Sequence, residues 1–232
     1  MKEFIASSGP AIVVAMDDHA YAAITLNDNV LLVKLCAPNS PPSGNNTQGE
    51  NPNAHTVQAV AATFSQENKQ LLCAISRYDK YLSVYSLSLA DSLESQTQIE
   101  PTVVHKTNKR CCALTFSHIP LKEDGNKSMD IIIAADLAGD ATAFPVIAGE
   151  TSEVQSCDRK VQRLLLGHTA SMLTAVKVID DKIFTADRDE KVRVSSFPRT
   201  SNVLGFLLGN AAYITDIDVK KDKYCVTTGG DF

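Results

Sequence analysis

Short runs of apolar, β-branched and aromatic residues recur along the chain, and turn residues such as Gly, Asp and Asn separate most of them. Each run is about as long as a β-strand, and none sustains the spacing of an amphipathic helix. The pattern therefore predicts an almost entirely β protein. The predicted strands are IVVAM, YAAITL, VLLVKL, AVAATFS, LLCAIS, LSVYSL, CCALTFS, IIIAAD, ATAFPV, LTAVKV, KIFTAD and VRVSSF.

Three polar segments interrupt this pattern. Residues 37–56 concentrate Pro, Ser, Asn and Gly and lack an apolar period, so we expect a flexible insertion there. Residues 118–130 indicate a long loop between two strands, and residues 147–160 form a third polar stretch ahead of a Gly-His pair. The apolar runs between these segments are the candidate blades of the fold.

A repeat appears in the second half of the chain. Gly167 recurs as Gly209, and TADRD at 185–189 recurs as TTGGD at 227–231, both at an offset of 42 residues. A period of about 40–45 residues with Gly-His near one end and a turn aspartate near the other is typical of WD-type β-propeller blades. We therefore predict an all-β WD-repeat propeller with about four and a half blades in this sequence. The assigned blades are residues 8–36, 57–88, 108–147 and 161–198, with an incomplete fifth at 203–232.

Equivalent turn positions of these blades carry aspartates, which suggests a shared structural role. The predicted blade network consists of His168, Thr185, Asp189, Asp79 and Asp231, with Asp28 at the same turn position in the first blade. Such residues satisfy polar groups that would cost about 1–3 kcal/mol each if buried without partners. A nucleophile, base and acid from Thr185 or Ser171, His168 and Asp189 is the competing interpretation, and we favour the network.

The tryptophan that usually completes a WD-type network is missing from every blade. Lys34, Tyr85, Phe144 and Ser195 stand at the equivalent positions, and Ala138 replaces the turn aspartate in the third blade. The chain is therefore a divergent member of the class.

Composition excludes several classes of function. The formal net charge of −5 argues against binding nucleic acid through the overall field. Six cysteines without a CxxC pair and five singly scattered histidines predict no catalytic residues and no metal site. The N-terminus lacks the apolar core of a signal peptide, so we expect a cytosolic or nuclear protein, with the nucleus as the first assignment and the cytoplasm as the alternative.

Two kinds of charged segment are candidate binding surfaces. Alternating charges at Arg188, Asp189, Glu190, Lys191 and Arg193 suit a partner of complementary charge, although a solvated turn would have the same composition. Two basic groups could face RNA phosphates, although ordinary loop lysines need no function. These are His105, Lys106, Lys109 and Arg110 in one group, and Lys220, Lys221 and Lys223 in the other.

GHTASMLTAVKV followed by DDKIFTADRDEKVRVSSFP resembles the marker blade of a known family, the WD-repeat, non-catalytic subunits of the tRNA (guanine-N7)-methyltransferase. KRCCALTFS at 109–117 and AADLAGDATAFPV at 134–146 extend the resemblance over roughly residues 57–232. It implies a ring of roughly seven blades, of which this chain would be a truncated part with about four and a half. It also implies a scaffold that forms a heterodimer with the catalytic subunit and contacts tRNA mainly through that complex. S-adenosylmethionine would be bound by the partner, and this chain would hold no cofactor.

The propeller fold alone leaves other functions open, because propellers serve many purposes. A general WD-repeat scaffold, such as a substrate receptor or a chromatin-associated platform, would bind through the central face instead of the charged hairpin. A hydrolytic enzyme is the third class, and it would require clustered carboxylates or histidines that the sequence does not group together.

Overall fold

The computed structural model describes residues 3–26, 29–37, 56–65, 70–88, 98–120, 128–146, 163–169, 171–220 and 224–230. Every regular element in these ranges is a β-strand. No helix in this part of the chain is long and apolar enough to cross a membrane. The strands belong to two compact units, Met1–Arg110 and Cys111–Phe232.

The first unit contains two sheets. One sheet has the order β1-β2-β3-β4-β8, in which β8 pairs parallel to β4 and the other pairs are antiparallel. The second has the antiparallel order β5-β6-β7-β9. The strands are β1 Glu3–Ser8, β2 Ala11–Met16, β3 His19–Leu26, β4 Asn29–Leu35, β5 Val57–Ser65, β6 Gln70–Arg77, β7 Tyr81–Ser88, β8 Gln98–Ile99 and β9 Val103–Lys106.

Alternation along the strands builds the core of this unit. In β2, Ala11, Val13 and Ala15 are buried, whereas Ile12 and Met16 are exposed, as a period of two requires. The buried residues of β2–β4 join those of β5–β7 in one apolar cluster. The core therefore lies between two sheets rather than within one.

The second unit contains two antiparallel four-stranded sheets and a hairpin. Their orders are β10-β11-β12-β13, β14-β15-β16-β17 and β18-β19. The strands are β10 Cys111–Pro120, β11 Ser128–Asp136, β12 Asp140–Pro145, β13 Arg163–Gly167, β14 Leu173–Ile179, β15 Lys182–Asp187, β16 Lys191–Ser196, β17 Val203–Leu208, β18 Ile214–Lys220 and β19 Tyr224–Gly229.

The sheets do not coincide with the blade intervals predicted from the sequence. β13 lies in the interval 161–198 but pairs with β12, and β17 lies in the interval 203–232 but pairs with β16. The intervals 8–36 and 57–88 likewise omit most of β1, all of β8 and all of β9. The outermost strand of a sheet thus comes from the sequence that follows the predicted blade. Because β13 belongs to the sheet of β10–β12, His168 after β13 contacts β15 of the next sheet.

Two of the polar segments predicted as loops have different outcomes in the structure. Residues 118–130 do not form one long loop, because β10 and β11 continue through the register pairs His118↔Asp130 and Pro120↔Ser128. Residues 38–55 of the predicted insertion at 37–56 lie outside the described residues. The prediction of a flexible insertion therefore stays a prediction.

Gly139 is required by the turn between β11 and β12. Its φ is +97°, and a Cβ there would lie 2.5 Å from the carbonyl oxygen of Ser171 and 2.8 Å from that of His168. Both obstacles are backbone atoms, so we expect Gly139→Ala to lower the free energy of unfolding by at least about 2 kcal/mol.

Urea denaturation followed by circular dichroism measures this effect. Gly205→Ala is the matched control, because a Cβ at Gly205 meets no atom within 4 Å. We expect that control to change the free energy of unfolding by less than about 1 kcal/mol. Equal stability of the two variants would contradict the proposed requirement for glycine.

Candidate functional site

A buried hydrogen-bond network lies beneath the charged hairpin. His168 follows β13, and its Nδ1 lies 2.9 Å from Oδ2 of Asp187, while its Nε2 lies 2.8 Å from Oγ1 of Thr185. The side chains of His168 and Asp187 are 5% and 6% exposed. The network ties the end of one sheet to β15 of the next sheet.

Asp187, not Asp189, is the aspartate that holds the turn. Its Oδ1 accepts hydrogen bonds from the backbone N–H groups of Asp189 (2.9 Å) and Lys191 (3.2 Å). Asp136 does the same in the preceding sheet, where it accepts from the N–H groups of Ala138 (2.7 Å) and Asp140 (3.1 Å). The predicted role of Asp189 is therefore reassigned to Asp187, because a carboxylate at the start of the turn reaches both N–H groups.

The turn between β6 and β7 uses a different arrangement. Oδ1 of Asp79 accepts a hydrogen bond from the N–H of Tyr81 (3.1 Å), so Asp79 contacts the backbone of its own turn. Arg77 stands at the end of β6, where Asp187 stands at the end of β15, and its guanidinium lies 3.4 Å from the hydroxyls of Ser83 and Tyr85. Asp28 and Asp231 lie outside the described residues.

His168, Thr185 and Asp187 also have the connectivity of a nucleophile, base and orienting acid. Thr185 is completely buried, and its hydroxyl is in contact with the imidazole. A nucleophile must reach an electrophile from outside, so this arrangement favours the structural interpretation. Thr185 satisfies the second ring nitrogen of His168 and leaves no buried donor or acceptor unpaired on that ring.

The charged hairpin between β15 and β16 is held firmly but exposed. Arg188, Asp189, Glu190 and Lys191 all have exposed side chains. The backbone is fixed by Asp187 and by the Arg188 N–H, which donates to the carbonyl of Met172 at 3.0 Å. The hairpin therefore presents alternating charges on a rigid support, which lowers the entropy cost of binding.

Arg193 differs from the other charged residues of this segment. Its Nε donates to Oγ of Ser195 (2.9 Å), and its two terminal nitrogens donate to the carbonyls of Gly167 (3.2 Å) and Thr200 (3.1 Å). Burial lowers the pKa of its guanidinium. Arg193 thus binds three groups of its own unit, beside the buried Ser195 that stands in the usual tryptophan position.

Two clefts flank the hairpin. The first encloses about 390 Å³ and is lined by Cys112, Leu137, Met172, Arg188, Tyr213 and Ile214, among others. The second encloses about 440 Å³, and its lining includes His168, Asp189, Lys191, Arg193, Phe206 and Leu208. One cleft is mainly apolar, and the other combines charged residues with two exposed apolar side chains.

The outer strand β17 adds an apolar surface to the second cleft. Phe206 is 52% exposed and Leu208 is 71% exposed, and Val203, Leu204 and Leu207 are also exposed. Contiguous apolar residues beside charged ones are typical of protein-binding surfaces. The charges of this region were predicted from the sequence. The apolar strand was not, although its sequence VLGFLL at 203–208 is almost entirely apolar.

The thiol of Cys112 in the first cleft is expected to be unreactive. Its thiol donates to the carbonyl of Leu173 at 2.7 Å, and burial raises its pKa to about 12. The thiol therefore stays protonated near neutral pH and is a poor nucleophile. Within the described residues, no group of three or more His, Cys, Asp and Glu side chains could hold a metal ion.

Comparison with solved structures shows the fold. The WD40 β-propeller domain of Doa1 matches with a TM-score of 0.55 and 14% identity, over 96% of this chain and 59% of that one. A chain of the Mitotic Checkpoint Complex matches with a TM-score of 0.60 and 13% identity, over 98% of this chain and 56% of that one. The all-β prediction and the WD-type prediction are both confirmed.

Comparison with families and curated proteins gives a more specific result. Residues 153–232 match the family model described as the tRNA methyltransferase TRM82 WD40 domain. The tRNA (guanine-N(7)-)-methyltransferase non-catalytic subunit wuho of Anopheles gambiae is 26% identical over 212 residues, which is 88% of this chain and 50% of that protein. The chain is thus similar to the WD-repeat, non-catalytic subunits of the tRNA (guanine-N7)-methyltransferase.

Two other curated non-catalytic subunits match over shorter spans. The non-catalytic subunit WDR4 of Mus musculus is 36% identical over 110 residues, which is 47% of this chain and 22% of that protein. TRM82 of Debaryomyces hansenii is 28% identical over 177 residues, which is 74% of this chain and 35% of that protein. The chain thus spans half or less of the length of these three curated relatives.

The two basic groups lie in different units of this WD-repeat protein. In the first unit, the Lys106 ammonium lies 5.8 Å from the ring centre of Tyr81, and the Arg110 guanidinium lies 4.5 Å from that of Tyr78. Lys109 is exposed between them along the chain, and His105 is half-buried. In the second unit, Lys220 is exposed at the end of β18, and Lys221 and Lys223 lie outside the described residues.

Proposed function

We propose that this chain is the WD-repeat part of a non-catalytic subunit that binds and stabilises the catalytic chain of a tRNA (guanine-N7)-methyltransferase. The names of the curated relatives support this assignment, because all three compared relatives are called non-catalytic subunits. In this proposal the two chains form a heterodimer, which methylates N7 of a guanine in the tRNA variable loop. We place the complex in the nucleus and also in the cytoplasm.

One structural observation carries the docking part of the proposal. Arg188, Glu190 and Lys191 are exposed on a hairpin whose backbone is tied to the buried Asp187. Charges on a rigid support set the rate and the specificity of association with a partner of complementary charge. The exposed Phe206 and Leu208 beside them supply the apolar area that stabilises a protein complex once it has formed.

In the proposed complex the two chains have different roles. The catalytic chain binds S-adenosylmethionine and transfers the methyl group, whereas this chain contributes a stable docking surface. In this proposal Asp189 contributes its exposed carboxylate to the docking surface and is not part of the blade network. Binding of the partner to the folded chain then stabilises both proteins by mass action.

Reconstitution tests the proposal. We expect the purified chain alone to transfer no methyl group to tRNA and to bind no S-adenosylmethionine in calorimetry. Addition of the catalytic subunit should give a stable 1:1 complex by size-exclusion chromatography, with more methyl transfer than the catalytic subunit shows by itself. Failure to form this complex would overturn the proposal, and so would binding of the cofactor by the isolated chain.

A general WD-repeat scaffold is the alternative, and one observation favours it. The first cleft is lined mainly by apolar side chains, including Leu137, Met172 and Tyr213, and it would accept an apolar segment of a partner. For this alternative we replace the central face considered from the sequence by this cleft, whereas the proposed docking uses the hairpin and the second cleft. Variants that separate the two clefts therefore distinguish the two functions.

A further inference from the structure

A compact basic and aromatic surface lies in the first unit, outside the proposed docking site. The turn between β6 and β7 supplies Tyr78 and Lys80, and Tyr81 begins β7. Lys106 ends β9, and Arg110 lies in the segment that follows it. Tyr81 and Lys106 are directly opposite in the β7–β9 register. We call these five residues the tyrosine–lysine surface.

Thr107 holds the two segments of this surface together. Thr107 is only 6% exposed, and its backbone N–H donates to the carbonyl of Lys80 at 2.8 Å. Its Oγ1 also lies 3.0 Å from that carbonyl and 2.7 Å from the carbonyl of Lys109. The positions of the lysines along the backbone are therefore fixed before any ligand binds.

The surface is strongly positive, although the chain is acidic. Lys80, Lys106 and Lys109 are exposed, and Arg110 is half-buried. Asp79 is the carboxylate on the same turn, and its Oδ1 accepts a backbone hydrogen bond from Tyr81. Lys80, Lys106 and Arg110 of this surface, together with the adjacent Lys109, outnumber the acids of residues 78–81 and 106–110 by three, in a chain of net charge −5.

The tyrosines order two of these cations. Arg110 lies 4.5 Å from the ring centre of Tyr78, and Lys106 lies 5.8 Å from that of Tyr81, both within the range of cation–π contacts. A cation that is already ordered loses less side-chain entropy when it binds an anion. Because both rings already contact a cation, we expect the surface to recognise the phosphate charges of a nucleic-acid backbone and not to stack on its bases.

We propose that the tyrosine–lysine surface binds the phosphate backbone of folded RNA, as a contact to tRNA additional to those of the catalytic subunit. The assignment of tRNA as the RNA rests on the proposed function. Several fixed cations on a small area match the closely spaced phosphates of a folded RNA, and contacts of this kind carry no base preference. An acidic protein segment is the competing ligand, and the test separates the two.

The test compares Lys80→Gln/Lys106→Gln with Lys177→Gln/Lys182→Gln. The control changes the net charge equally but removes lysines of the second unit that pair with Asp218 and Asp181. Fluorescence anisotropy with labelled tRNA is recorded between 50 and 200 mM salt, about the range over which phosphate contacts dominate affinity. Both the full chain and its complex with the catalytic subunit are measured.

We expect the Lys80→Gln/Lys106→Gln variant to bind tRNA at least about threefold more weakly at low salt than the control does. The slope of log affinity against log salt should fall by about 1.4–1.8, as for the loss of two phosphate contacts. Affinity and slope equal to those of the control would overturn the inference. If the double variant loses its circular dichroism signal, the single variant Lys106→Gln gives the same comparison.

The partner assay distinguishes the remaining outcomes. Capture of the catalytic subunit should be unchanged in the Lys80→Gln/Lys106→Gln variant, because this surface lies outside the charged hairpin. Lost capture with unchanged RNA binding would assign the surface to a protein partner and overturn the RNA inference. If the unmodified chain captures no methyltransferase but the variant still loses RNA affinity, the RNA inference stands and the proposed function fails.

Discussion

Asp187→Ala is expected to lower the free energy of unfolding by about 3–5 kcal/mol, because several buried groups lose their partner together. The carboxylate contacts Nδ1 of His168 and accepts hydrogen bonds from the N–H groups of Asp189 and Lys191. His168 itself is largely buried, so water cannot replace the carboxylate without opening the structure. Thermal or urea denaturation followed by circular dichroism measures the change.

Asp189→Ala is the matched control, since it removes an exposed carboxylate from the same hairpin. We expect that substitution to change the free energy of unfolding by no more than about 0.5 kcal/mol. The reverse order of the two variants would restore Asp189 as the residue that holds the turn. Equal and small effects would show that the network contributes little to stability.

The fold class could be predicted from the sequence because two independent signals agree. Strand-length apolar runs bounded by turn residues predict strands, and the 42-residue spacing predicts a repeated unit of several strands. The boundaries of the sheets were harder to predict. Backbone pairing assigns β13 and β17 to the preceding sheets, and no single residue in either strand indicates its partner.

The position of the turn aspartate was present in the sequence as a signal. Aligning AAD at 134–136 with TAD at 185–187 pairs Asp136 with Asp187, whereas Asp189 is aligned with Ala138. Two sheets therefore share an aspartate at the first position and not at the third. The turn after β6 suggested Asp189 instead. In that turn the aspartate, Asp79, stands at the position equivalent to Asp189, and Arg77 stands at the position equivalent to Asp187.

The role of Arg193 could not be predicted from its neighbours in sequence. The carbonyl groups that it binds belong to Gly167 and Thr200, which lie 26 and 7 residues away along the chain. From the pattern of alternating charge, Arg193 is predicted to be a partner-binding residue like Arg188 and Lys191. Only the packing of β16 against these segments separates a structural arginine from the exposed charges.

Arg188→Glu/Lys191→Glu is expected to abolish stable capture of the catalytic subunit while the fold remains intact. Both side chains are exposed, so their reversal removes no buried contact of the side chains. We expect association to slow and to depend less on salt, with a loss of about 2–5 kcal/mol of affinity if a reversed pair is desolvated in the complex. Surface plasmon resonance at several salt concentrations measures both effects.

Arg193 must stay unchanged in this experiment, because its reversal would remove three hydrogen bonds within the unit and confuse unfolding with lost binding. Lys177→Glu/Lys182→Glu is the control of equal charge change. Since Arg188 also lines the first cleft, two single variants separate the surfaces: Lys191→Glu tests the second cleft and Tyr213→Ala tests the first. Loss of capture in Tyr213→Ala but not in Lys191→Glu would reject hairpin docking, because a partner that needs only the apolar cleft recognises the chain as a general scaffold.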